Sequence, residues 1–275
     1  MPITQEWIDS HVAPTAQALK DGDGCHEEEG RALKDYLVGK MTAKDAAAAI
    51  TKPVLDEQDP PSEIYRLWGL LQDALVEHED EREKLYDLLA AIQELGPRGP
   101  IDFSHLPGFG NMWADLYGLF INGPCPWEKE GDGITDEKMT EMRQHHEAVG
   151  TIEATLYVRG IAGIPARWAW DTLNIVCLKR PGIDAYIGGM YGWLSVAREK
   201  LRSAMDLDQV VSFSRPVDGG RPGAQEGLSQ SMSKHMGDWI SALMQYSSHN
   251  SPLSDEGKRL AAECHRLLGA DAVEG

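Results

Sequence analysis

Apolar residues in this chain recur at three- and four-residue intervals in one segment after another, and almost nowhere in strict alternation. Spacing of that kind gives each segment a single apolar face, and a chain that repeats it between Gly- and Pro-rich breaks is expected to bury those faces by packing helix on helix. Ile64, Leu67, Trp68, Leu71, Ala74 and Leu75 make the plainest stripe. A second one, Leu85, Leu88, Leu89, Ile92 and Leu95, runs to Gly96-Pro97, so the two predict an antiparallel pair with Ser62 as the first cap.

Before this pair, Thr42 caps a short alanine-rich helix that Pro53 is expected to end, and Asp21-Gly-Asp-Gly with the acidic run Glu27–Glu29 predicts a loop. After it, the three prolines between Gly96 and Gly110 mark a long connector. Further helices are predicted around Asn111–Ile121, then Thr135–Arg159, Ala166–Leu178, Ile183–Ala204, Leu228–Tyr246 and Ser254–Leu268, the last capped by Ser254. Val210–Phe213 is the sole strand-like run and is too short to predict a sheet. The Gly-rich stretch Val217–Gly227 reads as a loop. The fold class expected is all-α, an irregular bundle of about nine or ten helices. It is read as one helical domain over residues 1–275, with an N-terminal lobe 1–96 packed on a main lobe 97–275 as the alternative division.

Charge narrows the partners. Forty-four acidic against 26 basic side chains leave a net charge of −18, which repels phosphate backbones and anionic lipid, and no local basic patch offsets it. The expectation is therefore no nucleic acid and no membrane. The N-terminus lacks a basic segment followed by an apolar one, and no stretch reaches the roughly 18 apolar residues of a membrane span, which points to the cytosol. Cys25, Cys125, Cys177 and Cys264 lie far apart and read as isolated reduced thiols, not as a disulfide framework or a zinc site.

Several segments together, Leu67-Trp-Gly-Leu-Leu-Gln-Asp-Ala74, Leu106-Pro-Gly-Phe-Gly-Asn-Met-Trp-Ala-Asp-Leu-Tyr117, Arg159-Gly-Ile-Ala-Gly, Arg180-Pro-Gly-Ile-Asp184 and Ser212-Phe-Ser-Arg-Pro216, resemble a fungal family of helical proteins described only as of unknown function. The resemblance spans residues 40–268. It implies a fungal source, a helical fold and a place in specialised metabolism. It brings no catalytic motif with it.

The chemistry must then be sought in polar side chains that share apolar helix faces. The 135–159 helix carries Met139, Met142, His146, Val149, Glu153 and Leu156 along one seam, with Tyr157 and Arg159 beside it. A carboxyl enters such a seam only when paired or neutral, so Glu153 is expected to meet an arginine and His146 a backbone carbonyl, if they are structural. If they are functional, His146, Glu153 and Tyr157 are the candidate catalytic residues: two proton-transfer groups with burial-shifted pKa values, and a phenol donating to a substrate oxygen.

Six of the eight tryptophans lie between Phe103 and Tyr246. From these and their neighbours come the candidate ligand-binding residues: Trp113, Tyr117 and Arg159 towards the seam; Trp168, Trp170 and Asn174 on the next helix; Tyr191 and Trp193 beyond it; His235 and Trp239 near the end. A core rich in large side chains accounts for the same residues without a ligand. Asn174 and His235 would then be satisfied by internal hydrogen bonds. Gly188, Gly189 and Gly192, each costing about 1 kcal/mol relative to alanine inside a helix, signal close helix approach or ligand contact.

No dinucleotide-binding, P-loop, serine-hydrolase or helical metal-ligand motif occurs, so no cofactor and no metal are expected. Two readings follow. One is a protein whose aromatic interior binds a small apolar metabolite, with cofactor-independent isomerase, cyclase or pericyclase activity by orientation. The other is a non-enzymatic interaction or scaffold protein that recruits a partner through its helical surface or the 217–227 loop.

Overall fold

The computed structural model describes residues 3–118, 135–178, 182–216 and 225–269. Among them stand twelve helices of six residues or more, which exceeds the nine or ten expected: α1 (Gln5–His11), α2 (Ala16–Asp21), α3 (Glu27–Leu37), α4 (Ala43–Leu55), α5 (Tyr65–Glu77), α6 (Arg82–Gln93), α7 (Phe109–Tyr117), α8 (Asp136–Arg159), α9 (Ala166–Cys177), α10 (Ile183–Ser203), α11 (Met232–Tyr246) and α12 (Asp255–Gly269). The surplus lies in the first 40 residues. Gly22 and Gly24 do break the chain there, in left-handed conformations. The acidic run does not: Glu27–Glu29 opens α3, where the carboxylates of Glu27 and Glu28 meet the positive end of the helix dipole. His26 caps it, its backbone N–H donating to Glu29 Oε2 at 2.8 Å.

Pro53 likewise falls inside α4, which continues to Leu55. Ser62 caps nothing: its hydroxyl donates to Asp59 Oδ2, and α5 begins at Tyr65. Thr42 and Ser254 cap as predicted, each accepting from a backbone amide three residues on. Ile121, Cys125, Arg180 and residues 217–224 of the expected loop lie outside the described residues.

The strands are the clearest departure from an all-helical reading. β1 (Pro97–Arg98) and β2 (Ile101–Asp102) form a small ribbon, and β3 (Val210–Pro216) pairs antiparallel with β4 (Gln225–Ser231). The second hairpin takes Gln225–Gly227 out of the expected loop and delays α11 to Met232, with Ser231 as its cap. Its β4 residues are mostly small and polar, so no alternating apolar pattern announces it.

The chain forms two compact units. The first runs to Leu116 and includes Arg159–Ile164; the second takes Tyr117–Val158 and everything from Pro165. In the first, Leu33, Ile50, Leu67, Leu71, Leu75, Leu88 and Ile92 are fully buried between α3, α4, α5 and α6. Trp68 Nε1 and Gln72 Nε2 donate to the carbonyls of Pro107 and Phe109 at 2.8 and 2.9 Å, which fastens the proline-rich connector to α5.

In the second unit α8 meets α10 without side chains between them. A Cβ at Gly150 would collide with the backbone of Gly189, and one at Gly192 would lie 2.6 Å from Glu147 O and Thr151 N. Close helix approach is thus what the glycines of α10 provide. α12 joins through a polar knot around the buried Arg143. Arg143 Nε donates to Asp184 O at 2.8 Å and its Nη2 to Ser254 Oγ at 2.9 Å, while Ser254 Oγ donates to Asp184 Oδ1 at 2.9 Å. No described helix is long and apolar enough to cross a membrane.

Candidate ligand-binding site

One helical turn beyond Arg143 on α8 stands His146. Its ring lies 5.2 Å from that of Tyr186 on α10 and 5.6 Å from that of His145, which in turn lies 6.3 Å from Tyr117. Met139, Met142 and Tyr186 pack on the buried Ala185 beside it. His146 Nδ1 is buried and has no hydrogen-bond partner among the described residues. Burial, with a smaller contribution from His145, pushes the His146 pKa down to about 3. The imidazole is therefore neutral at pH 7, offering hydrogen bonds but very little basicity. A general base works best near the ambient pH, so this position suits polar recognition better than proton abstraction.

Glu153 sits two turns further along α8, about 10 Å away by helical rise. It is buried, and the Trp193 indole N–H donates to its Oε2 at 2.7 Å. An indole donor thus meets this carboxyl inside the seam. Tyr157 packs on the same tryptophan, 5.9 Å between ring centroids, with Lys200 Nζ 4.6 Å from its ring centre. Lys200 also donates to the carbonyls of Tyr157 and Val158, capping the end of α8. The three candidate catalytic residues accordingly occupy two places: His146 with Tyr186, and Glu153 with Tyr157 around Trp193.

The remaining candidates fall into separate surroundings. Trp113 is fully buried in the first unit against Phe109, and Arg159 belongs to that unit too, bridging Glu83 and Asp87 of α6 and lying over the Tyr86 ring. In the second unit Trp170, Phe213, His235 and Trp239 form a continuous aromatic cluster with centroid separations of 4.7 to 6.3 Å. Trp168 and Tyr191 are half-buried.

Around that cluster the polar groups serve the hairpin. Asn174 Nδ2 donates to Ser214 O at 2.8 Å, and Arg167, seven residues earlier on the same face of α9, donates to Ser212 O at 2.9 Å. His235 Nε2 lies 3.0 Å from Val211 O, which can only accept, so Nε2 carries the hydrogen and Nδ1 accepts from Gln230 Nε2 at 2.9 Å. Asn174 and His235 thus each have an internal partner.

Tyr186 is the residue of this site that the apolar pattern hid. It lies between Ile183 and Ile187 in the same heptad, and reads there as one more stripe residue. The thiols of Cys25, Cys177 and Cys264 are all pushed up by burial, which leaves them poor nucleophiles. No family model, curated protein or solved structure matches the chain.

Proposed function

We propose that the protein binds a small, largely apolar molecule against the His146 face of α8, with His146 as the polar contact and Tyr186, Met139 and Met142 as the apolar bed. The observation that carries this reading is the buried Nδ1 of His146, which has no hydrogen-bond partner among the described residues. A buried polar atom left so costs about 1–3 kcal/mol, and a ligand donor or acceptor would recover that cost. Methionines suit such a bed, because an unbranched thioether adapts to irregular apolar shapes. The imidazole is uncharged at neutral pH, so it selects a hydroxyl, carbonyl or amide and not a carboxylate.

Any reaction there would be a cofactor-free isomerisation or cyclisation driven by holding one conformer, with Glu153 and Tyr157 acting at most as structural supports through Trp193. The fungal resemblance would set it in the cytosolic part of specialised metabolism. Native mass spectrometry after incubation with an apolar fungal extract tests the proposal. A retained small-molecule mass, lost in His146→Phe and Tyr186→Ala variants that melt like the parent, is the expected result. Equal retention by parent and variants, or none by either, would reject it.

A further inference from the structure

His11, the last residue of α1, stands between two groups that can only accept a hydrogen bond. Its Nδ1 lies 2.8 Å from the Trp7 carbonyl oxygen, and its Nε2 3.4 Å from Asp73 Oδ2 on α5. A neutral imidazole carries one N–H and would turn a lone pair on one of these oxygens, whereas an imidazolium donates to both. Ser10 does not relieve the conflict. Its hydroxyl lies 3.2 Å from His11 Nδ1, but it donates at 2.7 Å to the same Trp7 carbonyl. The Trp7 indole adds a further preference for the charged ring: it stacks on His11 with 3.9 Å between ring centroids, and its N–H donates to Glu77 Oε2 at 2.7 Å. The Asp73 hydrogen bond accordingly raises the His11 pKa above its ordinary 6.5, against the opposing effect of burial.

What this contact holds in place is α1. The helix lies on α3 at Gly30, where a Cβ would come within 2.9 Å of Ile8 Cγ2 and 2.8 Å of Val12 Cγ2, and Ile8 is buried. Backbone bonds from Cys25 N to His11 O and from Ala13 N to Cys25 O fasten its far end. The other ionisable groups around the clamp come from three elements. α5 and its C-cap bring Glu77 and His78, the latter edge-on to Trp7 at 4.7 Å. α3 and the residues before it bring Lys34, which donates to Gln5, the buried Glu29, and Cys25, whose thiol burial pushes up to about 12. α1 itself carries Glu6 and Asp9. We propose that α1 is a proton-controlled strap: the His11 imidazolium clamps it to α5, and loss of that proton loosens it from the Gly30 face of α3. The clamp is complete below pH 6.5 and is lost as the pH rises through the higher folded value.

The inference is independent of the His146 site, which lies in the other unit. Two measurements on the whole chain test it: NMR titration of the His11 ring, and hydrogen exchange of the α1 amides at pH 6 and pH 9, corrected for the chemical exchange rate. Both are made in a Glu29→Gln background, because Glu29 also titrates in this window. His11 should titrate above 6.5, and protection of α1 should fall about tenfold between the two pH values, the effect of losing one charge-assisted hydrogen bond. Asp73→Asn supplies the informative contrast. Its amide can donate to a neutral Nε2 while Nδ1–H keeps the Trp7 carbonyl, so the midpoint should drop and the fall in protection vanish, with α6 protected as in the parent. A His11 midpoint at or below 6.5 would overturn the proposal, and that titration needs no variant at Asp73. Protection of α1 that ignores pH, or that falls equally with Asn at position 73, would overturn it too.

Discussion

Glu29 offers the sharpest test of how burial is handled in the first unit. The side chain is fully buried; Oε2 accepts the His26 amide that opens α3, while Oε1 has no hydrogen-bond partner among the described residues. Burial pushes its pKa from an ordinary 4.5 up to about 8, against the opposing pull of the His26 amide and of Arg66. The folded chain therefore keeps a proton that the unfolded chain releases. Stability is present in full below pH 4.5 and is withdrawn as the pH climbs towards 8.

Glu29→Gln retains the capping oxygen and removes the ionisation. At about 1.4 kcal/mol per pH unit, the substitution should stabilise by about 4 kcal/mol at pH 7.5 but only about 1 kcal/mol at pH 5, a difference of order 3 kcal/mol. Urea titrations of parent and variant at the two pH values, followed by tryptophan fluorescence, measure it. With a slope of about 3 kcal/mol per molar urea, the midpoints should separate by about 1 M more at pH 7.5 than at pH 5. An identical separation at both would refute the argument that burial keeps this carboxyl protonated.

Three further outcomes follow from the second unit. Gly150→Ala should destabilise by about 1–3 kcal/mol, lowering the thermal midpoint by several degrees, because the new methyl overlaps the Gly189 backbone. Trp193→Phe removes the N–H from Glu153 Oε2 and should cost about 1–3 kcal/mol in urea unfolding; a change below about 0.5 kcal/mol would mean that the bond contributes little. The His146 ring resonances should not titrate between pH 8 and pH 5 in NMR. Because its folded pKa is depressed, the stability tied to its neutral form is present above the ordinary 6.5 and is lost as the pH falls towards 3.

Where the apolar stripe was long, the helix was legible in the chain. α5, α6, α8, α9 and α10 lie within a residue or two of where periodicity sets them, since each presents an unbroken face to a core. The acidic start of α3 misled because carboxyl side chains suit the positive end of a helix dipole, and the proline in α4 because it stands in the last turn, where the helix runs two residues past it and forgoes one hydrogen bond. The β3–β4 hairpin was hidden because side chains of other elements, Arg167, Asn174 and His235, hold its carbonyls. The site divides similarly. An inward-facing His146 could be read from spacing, but its neighbour Tyr186, and the separation of His146 from Glu153 by different aromatic partners, depend on which residues of α10 come opposite α8.

At the α8–α10 crossing, main chain touches main chain at Gly150 and Gly189. With no rotamer to change there, the gap between the two helices has a hard lower limit set by atomic radii, and neither can shuffle closer or turn freely about its axis. The wall that bears His146 and Tyr186 is consequently stiff. In the proposed binding role, such a wall would sort ligands by outline, lose little disorder when one arrives, and have small capacity to reshape itself around a poor match.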